Sequence, residues 1–219
     1  MNTDTGSAAW RFAVSALAAG ACIGVAAMVY LNLGGLAGCV MFAFGLMTVV
    51  YFNLDLFTGR SQFVWGRRKP GRADSMSYGR LAAILLLNIV GCAAVVLISD
   101  TNRFAIDPSA IVYRRLDDGI LLSGLRAVPC GFIMTLSVRA AKGGLWWPLL
   151  FGVPTFIICS FPHCIADVFY YTMAMPEIIT TATPAQAGTL LAVYLSTVVG
   201  NYLGCNIYRA FPQTAAVKS

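Results

Sequence analysis

Apolar residues occur along this chain in long runs that short polar segments separate. Each run is about twenty residues or longer, which is what an α-helix needs to cross a hydrocarbon core of about 30 Å. The runs lie at residues 10–31, 36–57, 80–99, 119–138, 145–175 and 186–208. The pattern predicts an all-α integral membrane protein with six transmembrane helices. Because the runs follow one another closely, residues 1–219 are expected to form a single transmembrane domain.

Composition supports the same class. Of the 219 residues, 58% are hydrophobic and 11% are charged, and the mean hydropathy is +0.75. A soluble domain of this length cannot bury so much apolar surface. The first run is interpreted as a span rather than a signal peptide, because it is unbroken from Trp10 to Leu31 and no basic residue precedes Arg11. The seven cysteines fall within the runs and are expected to be reduced packing residues.

The net charge of +6 is concentrated in one loop after the second run. That loop contains six of the fifteen basic residues: Arg60, Arg67, Arg68, Lys69, Arg72 and Arg80. Short loops rich in lysine and arginine stay in the cytoplasm. We therefore expect a multi-pass protein of the cell inner (plasma) membrane with both termini cytoplasmic, and the lipid bilayer rather than a nucleic acid as its surroundings.

Two of the six runs are interrupted by polar or helix-breaking residues. Asp55 and Thr58 interrupt the second run before Gly59, and Pro162 and His163 interrupt the fifth. Proline removes a helical hydrogen bond and clashes with the preceding turn. The second and fifth spans are therefore predicted to be broken into half-helices, and irregular backbone at that depth requires protein or a water-filled path around it.

The run after each interruption contains the same short pattern. It is Asn88-Ile-Val-Gly91 in the third run and Asn201-Tyr-Leu-Gly204 in the sixth. The chain is therefore predicted to contain two three-helix repeats, at about 10–99 and 119–208. Three is an odd number of spans, so the repeats are inverted, and a binding site is expected near the midplane where the two breaks meet.

Four segments resemble motifs of the formate/nitrite transporter family. They are Asp55-Leu-Phe-Thr-Gly59, Phe161-Pro-His-Cys-Ile-Ala-Asp-Val-Phe169, Gly200-Asn-Tyr-Leu-Gly204 and the stretch LRAVPCGFIMTLSV at 125–138. The likeness covers essentially the whole chain. The chain departs from the family pattern at Pro162, Asp167 and Gly131, which indicates an outlying member.

The resemblance implies an aquaporin-like fold and a homopentamer with one pore in each protomer. It implies passage of small monovalent anions or their conjugate weak acids, with formate, nitrite, hydrosulfide, acetate and lactate all compatible, and no enzymatic activity and no cofactor. Its motif positions give an outer constriction of Phe42, Leu46 and Phe156 and an inner one of Leu56, Phe57 and Met134. Between them the resemblance places His163, Thr58 and Asn201 as pore and substrate residues, and it assigns Arg115 as the vestibule cation.

The lone histidine suits such a pore for a physical reason. A small anion stripped of water meets a Born penalty on the order of 20 kcal/mol in a medium of low dielectric, whereas its neutral acid does not. Histidine, with a reference pKa of about 6.5, exchanges protons near neutral pH. We therefore expect the anion, attracted by Arg115, to gain a proton from His163 or from water and to cross as the neutral acid.

Alternatives to these roles remain open from sequence alone. His163 can instead be a buried neutral cap of a half-helix, Thr58 can satisfy a freed carbonyl, and Asn201 can hold helices together. Asp167 is expected either to hold the imidazole or to pair with Arg126. A channel for a small neutral solute is the runner-up function. An enzyme is disfavoured, since no nucleophile stands beside a base, and a zinc site of Cys159, His163 and Cys164 lacks a fourth ligand.

Overall fold

The computed structural model describes residues 3–64 and 76–211, which are helical and contain no strand. In these two ranges the eight α-helices have the bounds Thr3–Leu33 (α1), Gly35–Tyr51 (α2), Phe57–Arg60 (α3), Tyr78–Ala94 (α4), Pro108–Lys142 (α5), Trp147–Ile158 (α6), Cys164–Thr181 (α7) and Pro184–Ile207 (α8). The predicted all-helical class is confirmed. Four of the basic residues on which the predicted orientation rests, Arg67, Arg68, Lys69 and Arg72, lie outside the described residues.

Within the described ranges, four helical segments are long and apolar enough to cross a membrane, namely Gly6–Leu33, Tyr78–Ile98, Pro108–Lys142 and Pro184–Ala210. Helices α2 and α6 are apolar but shorter, with 17 and 12 residues, and each is followed after a short gap by another helix. The second and fifth apolar runs of the sequence thus correspond to α2 with α3 and to α6 with α7. Large apolar side chains such as Leu97, Leu121 and Ile179 point outward, which suits a surface that lipid or another subunit covers.

The gaps after α2 and α6 have the same backbone geometry. Asn53 has φ 52° and Ser160 has φ 54°, so both are in the left-handed region. In both gaps the next backbone N–H bonds to the carbonyl five residues earlier, at 2.9 Å. This is the hydrogen-bond pattern with which a left-handed residue ends a helix. The two helices therefore stop for the same local reason.

The cause of the second break differs from the one that the sequence predicts. Helix α6 ends at Ile158, four residues before Pro162, and Pro162 lies in the extended segment that leads to α7. At the corresponding place before α3 stands Asp55, and α2 ends without any proline nearby. The left-handed residue, rather than the proline, terminates each helix, and Pro162 is tolerated because it precedes the next helix.

Asn88, buried on α4, holds the start of α3 in place. Its Oδ1 accepts a hydrogen bond from the backbone N–H of Phe57 at 2.8 Å. Its Nδ2 donates to the carbonyl of Asp55 at 2.9 Å and to the carbonyl of Ala16 on α1 at 2.7 Å. One amide side chain thus satisfies backbone groups that the interruption would leave without partners.

Asn201 on α8 makes the corresponding bonds to the other break. Its Oδ1 accepts from the backbone N–H of Cys164, the first residue of α7, at 2.8 Å. Its Nδ2 donates to the carbonyl of Pro162 at 3.0 Å and to that of Ala127 on α5 at 2.8 Å. Each asparagine therefore ties one half-helix to two long helices.

Close approach of the long helices requires glycine beside each of these asparagines. A Cβ atom placed on Gly131 of α5 would lie only 2.1 Å from the backbone oxygen of Asn201, and one on Gly20 of α1 would lie 2.1 Å from that of Asn88. Any side chain at these positions would push the helices apart. The departure at 131 from the family pattern thus has a packing reason.

Helix α5 begins before the fourth apolar run does. It starts at Pro108, where Oδ1 of Asp107 accepts from the backbone N–H of Ser109 at 2.8 Å, and it changes direction at Gly119, which has φ 69°. The predicted span began at Gly119, so the helix starts eleven residues earlier. This first segment, up to the kink, contains Arg115.

Candidate pore site

His163 is the residue that precedes α7, and it caps the first turn of that helix. Its Nδ1 accepts a hydrogen bond from the backbone N–H of Ala166 at 3.2 Å. Its Nε2 lies 3.2 Å from Oγ1 of Thr58 on α3. The ring is 2% exposed. The imidazole therefore joins the two interrupted parts of the fold inside the protein.

These two contacts determine the tautomer of the neutral ring. A backbone N–H can only donate, so Nδ1 of His163 carries a lone pair and the ring proton is on Nε2. Nε2–H then donates to Oγ1 of Thr58, whose hydroxyl proton is left for another acceptor. Protonation of the ring would require Nδ1 to lose its hydrogen bond to Ala166. In this arrangement the imidazole is a hydrogen-bond donor rather than a proton source.

Aromatic side chains adjoin the imidazole on the side of α2 and α6. The ring of Phe156 stacks on His163 with centroids 5.8 Å apart and planes at 29°. Phe42 meets Phe156 edge to face at 5.9 Å. Leu46, one turn further along α2, is buried in the same core. The structure thus brings Phe42 and Phe156, two residues assigned to the outer constriction, together beside the histidine.

The three residues assigned to the inner constriction belong to the second break and to α5. Leu56 is the cap of α3 and Phe57 its first residue, while Met134 lies on α5. All three are buried in the apolar core, and Leu56 also lines a small inner cavity.

A cavity of about 260 Å³ opens beside His163, and we call it the outer cavity after Phe156, a residue of the predicted outer constriction that lines it. Its walls combine apolar and charged groups, with Phe156 and Tyr30 next to Arg114, Arg115 and Asp167. The cations come from the first segment of α5, which the kink at Gly119 directs toward α7. Two arginines and the imidazole therefore line the same cavity.

Arg115 is not a free cation, because Asp167 lies against it. Its Nε is 3.3 Å from Oδ2 and its Nη2 is 3.4 Å from Oδ1 of Asp167, and its Nη1 donates to the carbonyl of Ser160 at 2.8 Å. The arginine side chain is 6% exposed and the aspartate side chain 2%. The pair is thus enclosed by protein, and the aspartate offsets the positive charge at the point where the sequence predicts a vestibule cation.

Both expectations for Asp167 are wrong. It does not hold the imidazole, whose two nitrogens contact Ala166 and Thr58. Arg126 is engaged elsewhere, since its Nη1 lies 2.6 Å from Oδ2 of Asp118. Arg115 is the partner because the kinked start of α5 places it over the break before α7.

A much smaller inner cavity, of about 10 Å³, lies at the other break. Seven of its nine lining residues are each 107 positions before a residue that lines the outer cavity, so that Leu56 corresponds to His163 and Arg60 to Asp167. Arg60 pairs with Asp55 at 2.7 Å, and Nζ of Lys142 donates to Oδ1 of Asn53 at 2.9 Å. This cavity too has two cations and one carboxylate near it.

The sequence interpretation missed two thiols that support the breaks. Sγ of Cys92 on α4 lies 3.1 Å from the carbonyl of Ile165, and Sγ of Cys205 on α8 lies 3.2 Å from that of Thr58. Each thiol therefore bonds to the half-helix of the opposite half of the chain. The signal was present, because the repeated pattern of Asn88 and Asn201 continues for one more residue into a cysteine in both copies.

Asn201 lies beside the site, but its amide is occupied by backbone groups of Cys164, Pro162 and Ala127. This arrangement agrees with the role of holding helices together, which the sequence left open. Within residues 3–64 and 76–211 no group of three or more histidine, cysteine or acidic side chains could hold a metal ion.

Comparison with known proteins decides the family. The model of the family described as formate/nitrite transporter matches residues 2–214. The chain belongs to this family. A pentameric formate channel with formate bound has a similar fold, with a TM-score of 0.71 and 22% identity over 93% of this chain and 95% of that one. An ion channel of the same family, with a TM-score of 0.70 and 20% identity, covers 95% of this chain and 93% of its own.

The comparison with curated proteins gives no match. Family and apolar helices together make the chain a multi-pass membrane protein of a transporter family. The resemblance that the motifs indicate is thereby confirmed. Of the departures from the family pattern, Gly131 is explained by close helix packing and Asp167 by its pairing with Arg115.

Proposed function

We propose that this member of the formate/nitrite transporter family forms a pore for small monovalent anions or their conjugate weak acids, of the formate, nitrite and hydrosulfide class. The observation that carries the proposal is the buried imidazole of His163, which faces a cavity with cations on one side and bonds to Thr58 on the other. A protein of similar fold is a formate channel with formate bound, which supports a substrate of that size.

The substrate crosses the constriction as the neutral acid. The Phe42, Phe156 and Leu46 side chains offer no charge to replace the hydration shell of an anion, and the Born penalty for a bare ion is on the order of 20 kcal/mol. Protonation removes this penalty. An acid molecule then needs only hydrogen bonds, and Nε2–H of His163 and the hydroxyl of Thr58 can supply them.

The proton reaches the substrate from water in the outer cavity rather than from His163. The neutral ring has its proton on Nε2, and donating it would leave an imidazolate. Recharging the ring at Nδ1 would break the cap on Ala166. The histidine is therefore a fixed hydrogen-bond donor that orients the acid. Of the two proton sources that the sequence leaves open, His163 and water, the proposal keeps water.

Two inverted three-helix repeats, at about 10–99 and 119–208, place this site at their interface. The matched left-handed residues Asn53 and Ser160 and the matched amides Asn88 and Asn201 support this arrangement. So does the constant offset between the residues that line the two cavities. The two breaks would then approach the midplane from opposite sides of an aquaporin-like fold.

The chain assembles as a homopentamer in the inner (plasma) membrane with both termini cytoplasmic. A pentameric channel of similar fold supports the assembly, as do the outward-facing apolar side chains. The basic loop after the second apolar run supports the orientation.

Stopped-flow uptake of formate into proteoliposomes at two pH values tests the function. We expect flux to rise as the external pH falls, because the fraction of neutral acid rises. His163→Phe should abolish the hydrogen bond to Thr58 and lower the flux at every pH, whereas His163→Asn keeps a donor and should retain more flux. Leu121→Phe, on the outward-facing surface, is the matched control for an added phenylalanine. Unaltered formate flux in both His163 variants would remove the histidine from the mechanism.

A channel for a small neutral solute is the second candidate. The fixed donor tautomer of His163 and the pairing of Arg115 favour it, because neither group then offers a free charge. Uptake that does not depend on pH and that competing anions do not inhibit would support this candidate and refute the first.

A further inference from the structure

We propose that Asp167 is a built-in competitor for Arg115, so that an anion binds in the outer cavity only together with a proton. The proposal deepens the proposed function, since it concerns the cavity through which the anion would enter. It names Asp167 as a residue that sets the affinity and the pH dependence of anion binding there.

Arg115 has few free donors for an incoming anion. Its Nε and Nη2 face the carboxylate of Asp167, and its Nη1 donates to the carbonyl of Ser160. At most one N–H on each Nη is left. An anion that binds the edge formed by Nε and Nη2 must therefore displace Asp167 from it.

The contacts between Arg115 and Asp167 are weak enough for an anion to displace the carboxylate. Its two charged contacts, at 3.3 and 3.4 Å, exceed the 2.7–2.9 Å that is usual for strong charge-assisted hydrogen bonds. Oδ2 of Asp167 is buried and accepts no hydrogen bond from the part of the chain that the structure describes. The carboxylate lines the cavity next to His163. It is therefore held mainly by the charge of Arg115, and an anion competes for the same charge.

Two carboxylates that share one site do not both stay ionised. Like charges at close range favour protonation of one of them, and the low dielectric of an enclosed site strengthens the effect. When an anion binds to Arg115 beside Asp167, one proton is therefore taken up. Binding that takes up one proton weakens by at most about tenfold for each unit by which the pH rises.

Few other groups near Asp167 change charge in the same pH range. The titratable and charged groups that reach it are Arg114, Arg115 and Cys130 on α5, Cys92 on α4, Tyr30 on α1, Tyr194 on α8, and His163, Cys164, Tyr170 and Tyr171 beside or on α7. Arginine stays charged, and thiols and phenols are ordinarily neutral below about pH 8. Among the residues that the structure describes, only His163 besides Asp167 can titrate there. The variant Asp167→Asn keeps His163, so it separates the contribution of Asp167 from that of His163.

The test uses nitrate, the anion of a strong acid, which stays ionised from mildly acidic to neutral pH. Formate flux into proteoliposomes is measured at several pH values with increasing nitrate on both sides. For the native protein, the inhibition constant should rise with pH by up to about tenfold per unit. Asp167→Asn should bind nitrate more tightly at neutral pH and with no pH dependence. If the inhibition constant of Asp167→Asn rises with pH as steeply as that of the native protein, the proposal is wrong.

Asp118→Asn is the matched control, because its carboxylate also pairs with an arginine, Arg126, but does not line the cavity. In Asp118→Asn the nitrate inhibition constant should rise with pH as it does in the native protein. An inhibition constant that does not change with pH in this control would contradict the proposal. If Asp167→Asn does not fold, the double variant Arg115→Gln/Asp167→Asn removes both charges. It should bind nitrate weakly at every pH, and a native slope in it would equally overturn the proposal.

Thermal unfolding of the purified protein separates this proposal from the proposed function. A ligand that binds the folded state raises the midpoint of unfolding, so the nitrate-induced shift reports binding without flux. Absence of formate flux in the native protein would refute the pore, while a shift that decreases with pH in the native protein and not in Asp167→Asn would still support the role of Asp167. The same pH response in both proteins would refute that role even where flux is normal.

Discussion

Replacing Asn201 by leucine should destabilise the break before α7 strongly. Leucine has the same branched skeleton, with bulkier end groups, but neither accepts nor donates a hydrogen bond. The backbone N–H of Cys164 and the carbonyl of Pro162 would lose the partners that Asn201 gives them at 2.8 and 3.0 Å. The carbonyl of Ala127 lies inside α5 and keeps its helical bond.

The magnitude follows from the number of buried groups left without partners. A buried backbone group that loses its partner costs about 1–3 kcal/mol. Two such groups give a loss of about 2–6 kcal/mol in the free energy of unfolding. For a chain of this size about 1 kcal/mol corresponds to roughly 2–4 °C in the unfolding midpoint, so the expected decrease is on the order of 4–24 °C. Asn88→Leu, with equivalent bonds at the other break, should give a decrease of similar size.

Thermal unfolding in detergent, followed by the loss of soluble folded protein, measures the effect. The control is Asn32→Leu, which makes the same chemical change but removes only a partly buried bond to the carbonyl of Met28 in its own helix. Its midpoint should fall by much less, because its free-energy cost is below about 1 kcal/mol. If Asn201→Leu and Asn32→Leu unfold at the same temperature, the asparagine does not hold the break.

Two other substitutions test the packing and the site. Gly131→Ala places a Cβ about 2.1 Å from the backbone oxygen of Asn201 and should cost about 1–3 kcal/mol or more in thermal unfolding, whereas Gly188→Ala, in open space, should not destabilise; equal midpoints would contradict the close approach of α5 and α8. Thr58→Val removes the acceptor of His163 Nε2–H and should lower formate flux, while Thr58→Ser keeps the hydroxyl; equal flux in the two would show that this contact is not needed.

The two cavities have similar sets of charged side chains near them. Arg114 and Arg115 face Asp167 at the outer cavity, and at the inner one Arg60 and Lys142 lie near Asp55. Among the described residues, each cavity thus has one more positive than negative side chain near it. Both of these carboxylates lie against an arginine, so neither is isolated.

Local patterns in the sequence were enough to predict the fold class and the family of the protein. Apolar runs of membrane length predict a helical membrane protein, because hydropathy and helix length are properties of consecutive residues. The motifs around Asp55, His163 and Asn201 indicate the family that the comparison confirms. Polar residues inside the second and fifth runs also mark where α2 and α6 end, to within a few residues.

The tertiary structure alone decided which groups meet. Arg115 and Asp167 are 52 positions apart, and their pairing depends on the kink at Gly119, which no periodicity reveals. The tautomer of His163 likewise depends on Thr58, 105 positions away, and on the turn that starts α7. Sequence specified the apolar spans through local burial and backbone preference, whereas the partners of the polar side chains follow from how those spans pack against one another.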